Sequence, residues 1–127
     1  MNKLRFVTYS SSGSSLGGYY EVEYDGVKKT VRLSEQKTHS DPEQVKTTKV
    51  GIDCGKAIRK IIEKYDMLKW ADLPPSEIMV LDAATVSLSI RFENGEVYNI
   101  SETQALPENG MTAICEVREC MLSFMEA

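Results

Sequence analysis

Two stretches of this chain alternate apolar and polar residues, and each is broken in the middle by a dipeptide suited to a tight turn. Tyr20, Val22 and Tyr24 alternate with Glu21 and Glu23 as far as Asp25-Gly26, and Val27 to Leu33 resumes the alternation. Val86, Leu88, Ile90 and Phe92 alternate with Ser87, Ser89 and Arg91 as far as Asn94-Gly95, and Glu96 to Ile100 returns. A period of two puts one apolar row on each strand, while Asp-Gly and Asn-Gly supply the positive φ angles of a two-residue turn. The pattern predicts two β-hairpins, with Gly26 and Gly95 at left-handed turn positions. Each hairpin then needs an apolar layer against its core face.

Helices are available to cover them. Ala57, Ile58, Ile61, Ile62 and Tyr65 recur at three- and four-residue intervals, with Lys56, Arg59, Lys60, Glu63 and Lys64 between them and Asp53 as the expected N-cap. Leu68, Trp70 and Leu73 follow, until Pro74-Pro75 ends regular structure through a missing N–H and a restricted preceding residue. After Pro107, Met111, Ile114, Val117, Met121 and Phe124 or Met125 line one side of a closing helix. At the start, Leu4, Phe6 and Thr8 alternate with Arg5, Val7 and Tyr9, which predicts a half-buried strand ended by the serine-glycine run that follows. The polar stretch 34–49 offers a single helical turn at Asp41-Pro42-Glu43-Gln44.

The resulting order, strand, hairpin, helix, hairpin, helix, predicts an α+β fold: an antiparallel sheet of about five strands with two helices on one face. At 127 residues the chain reads as one domain, 1–127, long enough to bury about two thirds of the surface of its unfolded chain. Arg32-Leu-Ser-Glu-Gln36 and Asn99-Ile-Ser-Glu-Thr-Gln104 end the two hairpins with similar text, which hints at two ββα units.

Charge and composition narrow the partners. The net charge is −4 and the basic residues are scattered, which argues against a nucleic acid, since binding a phosphate backbone needs clustered Lys and Arg. No run reaches the ~18 apolar residues of a spanning helix, and Met1 to Thr8 leads into alternation rather than an apolar signal segment. No membrane partner is expected, and the chain as given reads as cytoplasmic. A piece of a longer secreted or anchored protein would read the same. Cys54, Cys115 and Cys120 form neither an even set nor a CxxC pair, so a disulfide framework is not expected.

The motifs that invite a chemical reading do not sustain one. The run from Tyr9 to Tyr20 contains Gly13, Gly17 and Gly18, yet it opens a strand, whereas a phosphate-cradling loop must open a helix. It matches neither GxGxxG nor GxxxxGK[ST] and reads as a connection. His39-Ser40-Asp41 carries the letters of a hydrolase triad, but contiguous side chains on an extended loop diverge. His39 is the only histidine, and the cysteines lack ligand spacing for zinc. Cys54, near a helix start, is read as a small buried apolar residue in preference to a thiolate. No catalytic, cofactor-binding or metal-binding residue is nominated, and no cofactor is expected.

The text from Leu81-Asp82 through a strand, Asn94-Gly95, a second strand, Ser101 and Leu106-Pro107 resembles small uncharacterised α+β domains of Gram-positive gut bacteria. The stretch from Ile62 to Trp70 is similar to the helix end of the same group, and together these cover about half of the chain. The resemblance implies a single α+β unit from a bacterial protein and carries no function.

What remains is a surface. Tyr19 and Tyr20 must point to opposite faces of one strand, and exposed tyrosines suit binding surfaces because they bring large contact area at small entropic cost. The leading expectation is therefore a non-enzymatic binding or protein-interaction module. Its contact would be Tyr19, Glu21 and Glu23, with Tyr9 as a further member, on a hairpin that would receive another protein or a second copy if it lay at the sheet edge. Two rivals are a small-ligand or enzymatic site around the Ser10 to Gly18 loop, lined by Tyr9, Tyr19, Tyr20, His39 and Trp70, and an acidic inhibitor or immunity-type protein steered by its carboxylates.

Overall fold

A computed structural model of the chain describes residues 3–12, 18–36, 42–74 and 85–126. The fold is α+β. Six strands, β1 (Leu4–Ser12), β2 (Tyr19–Asp25), β3 (Thr30–Gln36), β4 (Gln44–Lys49), β5 (Thr85–Phe92) and β6 (Val97–Ser101), form one antiparallel sheet in the order β4-β3-β2-β1-β5-β6. Helix α1 (Ile52–Tyr65) leads through Asp66 into a 3-10 helix, Met67–Asp72, and α2 (Gly110–Glu126) closes the chain. The two expected hairpins are β2–β3 and β5–β6. They flank β1 from opposite sides; β5–β6 leads on to α2 with no further strand between, whereas β4 stands between β2–β3 and α1, so the first half departs from the ββα unit that the repeat hinted at.

The alternation resolves as the side-chain period requires. Val7 and Tyr9 on β1, Val22 and Tyr24 on β2, Val31 on β3, Leu88 and Ile90 on β5 and Ile100 on β6 are buried. They meet Cys54, Ile58 and Ile62 of α1, Met67 and Trp70 of the 3-10 helix, and Ala113, Ile114, Val117, Met121 and Met125 of α2. Within α2 the buried stripe includes Ala113 while Met111 is exposed, one turn of the expected pattern having rotated outward. A register shift in β1 between Leu4 and Phe6 lets Leu4 and Val7, of opposite parity, both reach the core.

Three local expectations are corrected. The β2–β3 connection is a four-residue turn, Gly26 to Lys29, and its positive φ belongs to Lys29 (φ 55) and not to Gly26. Gly95 does take a positive φ, +95. Helix α1 starts two residues earlier than expected, with Gly51 at the N-cap and no capping side chain, so Asp53 lies in its first turn. Finally, residues 44–49 form a sixth strand, β4, where a helical turn starting at Asp41 was expected. Asp41 itself lies outside the described residues. Strand β4 shows no alternation because both of its faces are largely exposed, and it is held through backbone pairing with β3.

One polar side chain ties the 3-10 helix to the sheet. Gln104 Nε2 donates to the carbonyls of Trp70, Ala71 and Leu73 at 3.1, 3.2 and 3.1 Å, and its Oε1 accepts from the Ser101 amide at 2.8 Å. These carbonyls close a helix end that would otherwise leave acceptors unpaired. Gln104→Glu replaces the donor with an acceptor facing three carbonyls, and is expected to cost about 2 kcal/mol in urea denaturation at neutral pH. An unchanged midpoint would show that the linkage contributes nothing.

Candidate interaction face

The helices cover one face of the sheet, and the opposite face is largely polar. Cross-strand register arranges it in rows. The first runs Ser101, Ser87, Ser10, Glu21, Ser34, Val45, and the second Asn99, Ser89, Thr8, Glu23, Arg32, Thr47. The third runs Val97, Arg91, Phe6, Asp25, Thr30, Lys49. Tyr19, at the head of β2 opposite Gln36, stands beside the first row. This face results from the odd positions of β2 carrying Tyr19, Glu21 and Glu23 while the even ones carry core residues.

The expected outward set is thus brought together on one strand. Tyr19 is 36% exposed, and its hydroxyl donates to the Glu21 carboxylate two residues on. Partial burial, and then that carboxylate, raise the Tyr19 pKa to about 12. Glu23 accepts from Thr8 Oγ1 at 3.3 Å and lies 3.9 Å from Arg32, while Ser10 and Ser87 share a hydrogen bond of 2.8 Å. The acidic groups of this face therefore alternate with Arg32, Arg91 and Lys49 and do not form a single-sign patch.

Tyr9 does not belong to this surface. It is 4% exposed on the helix-covered face, edge-on to Tyr20 at 6.0 Å, with the Arg118 guanidinium over its ring and an Arg118 Nη1 donation to its hydroxyl at 3.4 Å. The parity of β1 places it with Val7. Nor is the β2–β3 hairpin at the edge, since β4 pairs with β3 on its outer side.

The residues proposed to line a loop site divide between the two layers. Tyr9, Tyr20 and Trp70 belong to the helix side, and Tyr19 faces the other way. Residues 13–17 of that loop and His39-Ser40-Asp41 lie outside the described residues. Cys54 is fully buried, and burial pushes its thiol up to about 12, the opposite of an activated thiolate. Among the described residues no group of three His, Cys, Asp or Glu side chains is placed to hold a metal ion, and no helix is long and apolar enough to cross a membrane.

Sequence reasoning missed the outer part of the face. Val45, 57% exposed, extends the row of Glu21 and Ser34, and with Thr47 and Lys49 it sits on an edge strand whose periodicity is silent. Strand β4 is the end of the sheet, and its outer backbone groups have no strand partner among the described residues. A hollow of about 120 Å³ lined by Leu33, Glu35, Gln44, Val45 and Lys46 opens beside it. No protein-family model matches the chain, and no curated protein matches it.

Proposed function

We propose that this chain is a non-enzymatic protein-binding module, and that its occupant is an extended segment of another protein added along β4. The observation that carries this reading is the exposure of β4, where Gln44, Val45, Lys46, Thr47 and Lys49 are exposed and only Thr48 is half-buried. An edge strand of this kind offers main-chain hydrogen bonds to an added strand, and the neighbouring hollow offers a place for one of its side chains. Lys46 and Lys49 on that edge disfavour uncontrolled stacking of the chain on itself, as edge lysines commonly do. Tyr19, Glu21 and Glu23 form the adjoining rim, where an aromatic ring contributes contact area.

The test is capture from the native host with the whole chain as bait, followed by hydrogen exchange on the complex. Protection concentrated in 44–49 is expected, with loss of the captured partner in Tyr19→Ala and in Val45→Asp and retention in Val27→Ala, at the exposed turn on the other end of the hairpin. Tyr19→Ala should leave stability within about 1 kcal/mol of the parent, as surface substitutions do. Retention of every partner by Tyr19→Ala and Val45→Asp, or a complex in which β4 exchanges as fast as before, would overturn the reading.

A further inference from the structure

The end of the sheet away from Tyr19 carries a feature of different chemistry. There the β2–β3 turn, the start of β1 and the first turns of α1 enclose a cavity of about 270 Å³. Its lining includes Lys3, Lys29, Lys56 and Arg59 against a single carboxylate, Glu93, in a chain whose net charge is −4. Arg59 is engaged by Glu63 at 3.2 Å, whereas Lys3, Lys29 and Lys56 make no ion pair among the described residues. These lysines come from three separate elements, so their convergence is not the charged stripe of one helix. A concave site lined by one sign of charge concentrates ligands of the other.

A second observation points into the same cavity. Tyr24 is 2% exposed, and its hydroxyl is packed so closely on α1 that a Cβ at Gly55 would stand 2.6 Å from it. That hydroxyl has no hydrogen-bond partner among the described residues. The oxygen is not sealed off from solvent, and Tyr24 lines the cavity, so a ligand acceptor there would complete it. Leu4 and Ile52, the latter 58% exposed, add apolar wall.

We propose that this cavity binds a small organic anion, with a carboxylate or phosphate head among the lysines and the Tyr24 hydroxyl and an apolar body against Leu4 and Ile52. The start of α1 has no side-chain cap and lends Ile52 and Gly55 to the lining, so its dipole adds to the field that favours a negative head, against the Asp53 carboxylate in the same turn. The site is separate from the β4 edge and does not depend on what that edge binds.

The experiment is an NMR titration of the whole chain with phenyl phosphate and with benzoate, which separate the two head groups, and with benzyl alcohol as the uncharged counterpart. At least one anion is expected to give saturable shifts at Gly26, Gly55 and Lys56 by about 10 mM, where a Kd of about 1 mM is nine-tenths saturated. Lys56→Glu, an exposed position, is expected to weaken binding about tenfold or more, and Tyr24→Phe, which keeps the ring, about threefold or more. Added salt should weaken it further. The proposal is overturned if neither anion gives saturable shifts, if benzyl alcohol binds as well as they do, or if either folded variant binds like the parent.

Discussion

Gly26→Ala is expected to lose about 3 kcal/mol or more of stability, a large fraction of the roughly 5–15 kcal/mol that holds a domain folded. A Cβ at this position would overlap the Leu4 carbonyl oxygen and stand 3.1 Å from its carbon. Both are backbone atoms, so no side-chain rotation relieves the overlap. Moving the turn away would also break the Gly26 amide's hydrogen bond to the Arg5 carbonyl, 2.8 Å, and part β2 from β1 beside the Phe6–Asp25 pair that ends their ladder. Gly95 is the informative contrast. It has a left-handed φ of +95 but nothing within 4 Å of its Cβ position, so Gly95→Ala should cost only about 1–2 kcal/mol of backbone strain. Urea denaturation of both variants decides the matter. A loss at Gly26 no larger than that at Gly95 would show that close approach does not constrain this turn.

Asp25→Ala is expected to cost about 2–3 kcal/mol at neutral pH, and the gap between variant and parent should close in acid. Asp25 Oδ1 accepts from the amides of Val27 at 2.9 Å and Lys28 at 3.0 Å, and from Arg5 Nη1 at 2.6 Å. Burial by itself would raise its pKa, but the two turn amides and the Arg5 guanidinium outweigh it and hold the carboxyl below its ordinary value. A carboxylate with a depressed folded pKa stabilises fully above its unfolded pKa, about 3.9, and loses that contribution as pH falls through the lower folded value. The parent's advantage should therefore be constant from pH 7 to about pH 5 and shrink below about pH 4. An advantage that persisted undiminished at the acid end would assign the cost to lost hydrogen-bond geometry alone.

Most of the regular architecture was legible because it rests on periodicity. The apolar rows of Tyr20, Val22, Tyr24 and of Leu88, Ile90 are short-range patterns that any strand with one buried face must carry, and α1 shows its stripe through Ile58 and Ile62 for the same reason. The outward placement of Tyr19, Glu21 and Glu23 follows from that alternation without further information. Strand β4 was not legible, since an edge strand exposed on both faces is selected by backbone pairing alone, and Gln-Val-Lys-Thr-Thr-Lys has no period to read.

Other features depend on what lies opposite a residue in space. Tyr9 looked as available as Tyr19, and only its parity on β1 and the arrival of Arg118 from α2 put it in the core. The Asp-Gly turn signal was correct about a reversal and wrong about its geometry: the left-handed residue is Lys29, and Gly26 is needed because the Leu4 carbonyl lies where a side chain would begin. Gln104 reaches a carbonyl 34 residues away in sequence, and the cationic cavity gathers Lys3, Lys29 and Lys56 from three elements. Local sequence determined which residues alternate, which spacing coils and where the chain turns, because those depend on a few neighbouring side chains. The tertiary structure alone decided which face is bare, which strand ends the sheet and which charges converge, because those depend on contacts between residues that the sequence places far apart.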